Sequence, residues 1–272
     1  MFSFQQFEID DRHCAMKVGT DAVLLGAWAD VEDSQRILDV GCGSGVVTLM
    51  AAQRAPHAVV TGVELDEAAA ADAAANARRS PFAERVDIVC ADILKLAAEA
   101  DNAAKTQSES EPMFKEEEKT KKTGRFDCIL SNPPYHEEDL LPPLTSRAAA
   151  RHTAGGGLTF EALLHAVSRL LALPASPDCA EGTVAPRFCV ILPAAAAERF
   201  TTLAAVHGLW AVRRTEVVTR LGKQPKRVLL QFSPLKATCQ TETLELLRAD
   251  GKRSVAYDRL CRDFYLHPDN EI

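Results

Sequence analysis

The chain has 272 residues, 47% of them hydrophobic and 25% charged, which is the composition of an ordered globular protein and excludes disordered and membrane-embedded classes. No apolar run approaches the roughly 20 residues that a membrane-spanning helix needs. The start, Met1-Phe2-Ser3-Phe4-Gln5-Gln6-Phe7-Glu8, lacks the basic and apolar stretches of a secretory signal, so a cytoplasmic location is expected, with no membrane partner. The net charge of −7 argues against indiscriminate nucleic-acid binding, but the charge is unevenly spread. Glu64 to Glu118 holds 14 acidic and 6 basic residues, whereas Trp210 to Lys236 holds 7 basic residues and one acidic residue, Glu216. A polyanionic partner would be gripped by the second region.

In chain order, a segment of residues 1–35 precedes a strand at Arg36–Gly41, a helix at Gly45–Arg54, a strand at Val59–Leu65, a helix at Glu67–Arg79 and a strand at Val86–Asp92. This alternation predicts βαβ units on a parallel sheet. A strand at Phe126–Ser131, a helix at Leu158–Leu171, a strand at Phe188–Leu192 and a helix at Ala194–His207 continue it. The β-rich runs Ala211–Thr219 and Val228–Phe232 leave little room for a helix between them and should pair as an antiparallel hairpin at the sheet edge. The expected fold is therefore a single α/β domain over 1–272, with a seven-stranded, mostly parallel sheet ending in that hairpin. Residues 101–124 are charged and nearly free of large apolar side chains, which predicts a mobile insertion. Pro174–Pro186 reads as a second excursion, and 237–272 as a C-terminal extension. The eight cysteines include no Cys-x-x-Cys pair, so they are expected to be buried small hydrophobes, and no metal site is expected.

Four features carry chemistry. Asp39-Val40-Gly41-Cys42-Gly43-Ser44-Gly45 joins a strand to a helix through glycines that let a ligand approach main-chain N–H groups. Its Gly-x-Gly-x-Gly spacing behind an acid differs from the Gly-x-Gly-x-x-Gly of nicotinamide enzymes and points to S-adenosylmethionine. Glu64, at the end of the next strand, can accept hydrogen bonds from both ribose hydroxyls of a nucleoside. Asp92 ends the third strand and can accept from an adenine amino group. Leu65 and Ile93, which follow these acids, are assigned to the same cofactor site. The most specific feature is Ser131-Asn132-Pro133-Pro134-Tyr135 at the end of the fourth strand. Proline cannot continue a sheet ladder, so carbonyls here turn toward the mouth of the site. Asn132 Oδ1 and the Pro133 carbonyl can accept both hydrogens of a planar amino group, and Tyr135 offers a face for stacking. No general base is needed, because an alkylated amino group is acidic enough to lose its proton to water.

These residues resemble a known family. Phe4-Gln5-Gln6-Phe7, the run Arg12-His13-Cys14-Ala15-Met16-Lys17-Val18-Gly19-Thr20-Asp21-Ala22-Val23-Leu24-Leu25-Gly26-Ala27-Trp28 and the tail Asp263-Phe264-Tyr265-Leu266 resemble the bacterial tRNA1(Val) adenine-N6 methyltransferases. These are Rossmann-like class I methyltransferases. The likeness continues through Asp39–Gly45, Glu64, Asp92, Asn132–Tyr135, Arg147–Thr153 and Lys226–Leu230. It implies that residues 1–35 cover the cofactor S-adenosylmethionine, with Lys17, Gly19, Thr20 and Asp21 along its methionine end. It implies a transfer RNA partner, bound through Arg147, Arg151, His152, Lys223, Lys226 and Arg227. The Asn-Pro-Pro-Tyr and glycine motifs also resemble release-factor glutamine-N5 methyltransferases, but those carry a helical domain before the first strand, for which residues 1–35 are too few. Methylation of guanine N2 in ribosomal RNA or of adenine N6 in DNA, and a noncatalytic S-adenosylmethionine-binding scaffold, are further alternatives.

Overall fold

The β-branched and apolar runs become strands because alternate side chains have two cores to enter. In the computed structural model, which describes residues 1–106, 125–134, 158–172 and 185–266, Ile37, Cys128, Leu130, Cys189 and Ile191 point into one core. Their neighbours Leu38, Ile129, Phe188, Val190 and Leu192 point into the other. Continuous hydrophobic runs of this kind belong to a sheet covered on both faces.

The strands are β1 (Phe2–Ser3), β2 (Glu8–Ile9), β3 (Arg36–Val40), β4 (Val59–Glu64), β5 (Val86–Cys90), β6 (Cys128–Ser131), β7 (Arg187–Pro193), β8 (Trp210–Val218), β9 (Arg227–Ser233) and β10 (Gln240–Glu245). The helices are α1 (Thr20–Trp28), α2 (Val46–Arg54), α3 (Glu67–Arg79), α4 (Ile93–Thr106), α5 (Phe160–Leu170), α6 (Ala194–Val206) and α7 (Val255–Cys261). β1 and β2 form a small antiparallel hairpin, and the remaining strands form one sheet in the order β10-β8-β9-β7-β6-β3-β4-β5. Only β9 in this sheet runs against the others, pairing antiparallel with β7 and β8. The seven strands read from the sequence all form, and β8–β9 is the expected antiparallel hairpin, but it does not end the sheet, whose edge is taken by β10.

Three differences have physical reasons. An eighth strand, β10, lies parallel to β8. Its sequence, Gln-Thr-Glu-Thr-Leu-Glu, shows no apolar face, so periodicity hides it. It is held by the backbone ladder and by Glu242, whose Oε1 accepts from Thr215 Oγ1 at 2.7 Å and from Arg213 Nη2 at 2.9 Å. Thr215 in turn accepts from the Trp28 indole N–H at 2.8 Å, and Arg213 lies 4.4 Å over the Trp28 ring. The second difference is α1, where seven consecutive residues from Ala22 to Trp28 are buried. A helix apolar all round carries no amphipathic signal. The third is α4, which continues through Thr106 where a mobile loop was expected from Asp101; Asp101 pairs with Arg169 of α5 at 3.0 Å. Residues 107–124 lie outside the described residues, as does most of the Pro174–Pro186 excursion.

The cysteine expectation also needs correction. Among the described residues all seven cysteines are free, and Cys14, Cys42, Cys128, Cys189 and Cys261 are buried, but Cys90 and Cys239 are exposed.

α1, α2 and α7 cover one face of the sheet, and α4, α5 and α6 cover the other. α1 and α2 approach closely at Gly26, where an added Cβ would come within 2.7 Å of Met50 Sδ. On the opposite face Phe200, with 0% exposure, packs 4.9 Å from Phe160, 5.8 Å from Phe232 and 6.2 Å from Phe188 between ring centroids. Phe200→Ala should therefore lower unfolding free energy by about 3–5 kcal/mol, read by urea denaturation. A loss under 1 kcal/mol would mean that this aromatic cluster collapses into the gap.

Candidate active site

Between β3 and β6 the chain order of the sheet reverses: β3 leads outward to β4 and β5, while β6 leads the other way to β7. Ligands of open α/β sheets bind at such a switch, outside the carboxyl ends of the strands. Val40 of β3 is level with Ser131 of β6, and Ser131 Oγ donates to the Val40 carbonyl at 3.0 Å. The next residues, Gly41 and Asn132, thus leave the sheet side by side.

The turn after β3 needs glycine. Gly41, Gly43 and Gly45 have φ of 71°, 54° and 81°, a region costly for any residue with a Cβ. Around Gly41 and Gly43 a Cβ would meet nothing within 4 Å among the described residues, so this face of the turn is open. Glu64 braces the turn from the end of β4. Its Oε2 accepts from Gly43 N at 2.9 Å, and its Oε1 accepts from Leu65 N at 2.8 Å and Asp66 N at 3.0 Å. A carboxylate has about four acceptor positions, so capacity remains for an incoming hydroxyl. Asp92 begins α4, its Oδ1 accepting from Leu94 N at 2.9 Å. Leu65 is exposed beside Glu64, whereas Ile93 is buried in the core under α4.

Asp39 is placed differently from a ligand-facing acid. It is 1% exposed, and its Oδ2 accepts from Thr48 Oγ1 at 2.6 Å, tying β3 to the first turn of α2. Burial pushes its carboxyl up to about 7, against the opposing effect of the Thr48 hydrogen bond.

The N-terminal segment reaches this cleft under several restraints. Lys17 Nζ donates to the carbonyls of Asp11 at 2.6 Å and Arg12 at 3.1 Å, and Asp11 Oδ2 accepts from Val18 N at 2.9 Å. Gly19 is the extended residue before α1, and Thr20 is exposed. Asp21 Oδ2 accepts from Arg227 Nε at 2.6 Å, so a residue expected along the cofactor is joined to one expected on the nucleic acid. Lys223 and Lys226 are exposed on the β8–β9 turn. Asn132 is partly buried, Pro133 buried and Pro134 exposed. Tyr135, Arg147, Arg151 and His152 lie outside the described residues.

Sequence reasoning missed the residue that gathers these pieces. Asn76 of α3 has 0% exposure; its Nδ2 donates to the carbonyls of Asp10 at 2.8 Å and Ser44 at 2.9 Å, and its Oδ1 accepts from Asp10 N at 2.9 Å. His13 adds a second tie, its backbone N donating to Asp72 Oδ2 at 2.9 Å. The available signal was an asparagine within the alanine-lined buried face Ala69, Ala70, Ala73, Ala77 of α3.

A family model described as a methyltransferase domain matches residues 37–108, which include the glycine turn, Glu64 and Asp92. Among curated proteins, the tRNA1(Val) (adenine(37)-N6)-methyltransferase of Bacteroides fragilis (strain YCH46) is 40% identical over 265 residues, covering 97% of both chains. The protein of the same name from Enterobacter sp. (strain 638) is 40% identical over 266 residues, 97% of this chain and 94% of that one. The chain belongs to the tRNA1(Val) (adenine(37)-N6)-methyltransferase family. The crystal structure of a predicted O-methyltransferase from Agrobacterium tumefaciens superposes with a TM-score of 0.60 at 16% identity, over 91% of this chain and 98% of that one, and shows the same Rossmann-like fold. The enzyme is thus a class I methyltransferase, and the glutamine-N5, guanine-N2 and noncatalytic alternatives are not favoured. Among the described residues no helix is long and apolar enough to cross a membrane, and no three His, Cys, Asp or Glu side chains group as metal ligands.

Two outcomes follow from this geometry. The Asp39 carboxyl rises from 3.8 to about 7 on folding, so the native state holds a proton that the unfolded chain releases in that interval. Stability contributed by the neutral carboxyl is lost as pH climbs through the interval. Relative to Asp39→Asn, the parent enzyme should lose unfolding temperature steadily between those pH values; parallel curves for the two would show Asp39 to be charged in the fold. Asn76→Ala strands buried groups on Asp10 and Ser44 and should cost about 2–4 kcal/mol. Hydrogen exchange at residues 10–19 should rise beyond what that global loss predicts, and unchanged exchange there would deny Asn76 its bracing role.

Proposed function

We propose that this methyltransferase transfers the methyl group of S-adenosylmethionine to N6 of adenine 37 in tRNA1(Val). The observation that carries the reading is the position of Asn132-Pro133 beside the glycine turn, at the switch point between β3 and β6. The names of the full-length relatives supply the nucleotide and the RNA.

The residues present fit the cofactor. The open face of Gly41–Gly43 would admit its amino-acid part, Glu64 retains an acceptor position for a ribose hydroxyl, and the Leu94 bond of Asp92 uses Oδ1, which leaves Oδ2 for the adenine amino group. α3 holds Asp10 through Asn76 and His13 through Asp72, and from the segment that follows, Lys17, Gly19, Thr20 and Asp21 would line the methionine end. S-adenosylmethionine supplies a methyl group on a sulfonium, which is the chemical drive of the transfer.

The protein's own contribution is orientation. Asn132 Oδ1 and the Pro133 carbonyl accept the two hydrogens of the adenine amino group, which aims its nitrogen and favours release of its lone pair from the ring. Tyr135, next in the motif, provides an aromatic face for the extruded base. An anticodon-loop base is partly unstacked already, so extracting it costs less than opening a duplex pair. The proton of the methylated amino group passes to water, with no side chain needed as base.

Purified enzyme incubated with labelled S-adenosylmethionine and separate tRNA, rRNA and release-factor pools tests the reading. N6-methyladenosine in tRNA1(Val) is expected from nucleoside mass spectrometry, and N2-methylguanosine or labelled protein would reject it. Asn132→Ala should lower kcat at least about 100-fold while S-adenosylhomocysteine affinity, read by calorimetry, changes far less. A matching loss of affinity would make Asn132 a cofactor ligand alone.

A further inference from the structure

The proposed substrate is far larger than the nucleoside that fits the cleft, and the edge of the sheet beyond β7 has an unusual charge pattern. Because β10 is parallel to β8, its carboxyl end reaches the same edge of the sheet as the ends of β3 and β6. The ladder continues past β10, with Leu246 N donating to Val218 O at 3.0 Å and Leu247 N to Thr219 O at 2.9 Å. The chain then folds into a tight turn closed by Arg248 N to Lys252 O at 2.8 Å. This turn lies against the β8–β9 turn: a Cβ on Gly251 would sit 3.8 Å from Arg220 Nη2.

Residues 219–227 and 246–254 together contain Arg220, Lys223, Lys226, Arg227, Arg248, Lys252 and Arg253, against one acid, Asp250. That is a concentrated positive field on a chain whose net charge is −7. Three of the cations are paired: Arg227 with Asp21 at 2.6 Å, Arg248 with Asp250 at 3.4 Å and Arg253 with Asp258 at 4.0 Å. Arg220, Lys223, Lys226 and Lys252 are exposed and make no ion pair among the described residues. Unpaired cations gathered on one rim repel one another, and a polyanion relieves that repulsion while releasing its own counterions.

We infer that the turn after β10 and the β8–β9 turn form one phosphate-binding rim, in which Arg220 and Lys252 grip the RNA backbone away from the methylated base. The rim runs from two to four strand spacings from β6, about 10 to 19 Å across a sheet with strands about 4.8 Å apart. It therefore meets phosphates several nucleotides from the base held at Asn132. The inference rests on the reading of tRNA as the substrate, and it adds the C-terminal extension to the binding surface.

The test is the double variant Arg220→Glu/Lys252→Glu, beside a control of equal charge change, Arg78→Glu/Arg125→Glu, placed on α3 and before the amino end of β6. Binding of unmodified tRNA is measured separately from methylation, so loss of binding counts for the rim even where the methyl group goes to another nucleotide. The rim variant should raise Kd and KM for tRNA about tenfold or more and reduce the log–log salt slope by about 2, with kcat at saturating tRNA and S-adenosylhomocysteine affinity unchanged. Milder Arg220→Gln/Lys252→Gln should move tRNA affinity the same way by less. Unaltered tRNA affinity, or an equal loss in the control, overturns the inference. Absence of N6-methyladenosine in reactions of the parent enzyme overturns the substrate reading instead.

Discussion

The side-chain amide of Asn76 is buried beyond the reach of water, so its donors and acceptor must all be satisfied from within the protein. They are satisfied by Asp10 from the N-terminal segment and Ser44 from the glycine turn, two pieces of chain that make no common strand or helix. One residue of α3 thereby fixes the distance between the segment carrying Lys17 to Asp21 and the turn carrying Gly41 to Gly45. Since α3 also starts just after Glu64, the three sides of the cleft share a single rigid support.

The N-terminal segment has a second anchor at the far end of the chain. Gln5 N donates to Phe264 O at 2.9 Å, and its side chain donates to Arg262 O at 2.6 Å and Tyr265 O at 2.7 Å. Phe4 stacks on Phe7 at 4.7 Å and on Tyr265 at 6.4 Å, while the Arg253 guanidinium lies 4.2 Å from the Tyr265 centroid. The tail in turn closes over α1, which packs on α2 behind the glycine turn. The segments at the two termini are therefore one structural unit, backing the cleft that the glycine turn, Glu64 and Asn132 form.

Charge is distributed to suit this division. The cleft itself is built from backbone groups and acceptors, with Asp39 kept from the solvent and its carboxyl raised by burial. Basic residues collect instead on the β8–β9 turn and the turn after β10. In the proposed reaction the base would be held by uncharged acceptors that reward only correct geometry, while attraction for the phosphate backbone acts at a distance and does not compete for the amino group. Asp21 and Arg227 join the two regions, since their ion pair links the start of α1 to the start of β9.

Local chemistry made much of this legible in the sequence. The strand run Phe188–Leu192 is apolar on both faces because both faces are covered. The glycine spacing reports a turn that no other residue can make, and Asn132-Pro133 marks the end of a strand by removing a ladder donor. Those signals need only neighbours along the chain. The tertiary structure alone decided the rest. β10 is a strand because Trp28, Thr215 and Arg213, distant in sequence, converge on Glu242, and its own polar sequence offers no hydrophobic period. Asp39 faces Thr48 and not the open cleft because α2 folds back over β3. Arg227 is tied to Asp21 across 206 positions of sequence, a pairing that neither residue's neighbours could announce. Composition and period fix which segments must be buried or turned, whereas the partner of a buried polar group depends on which distant segment arrives beside it.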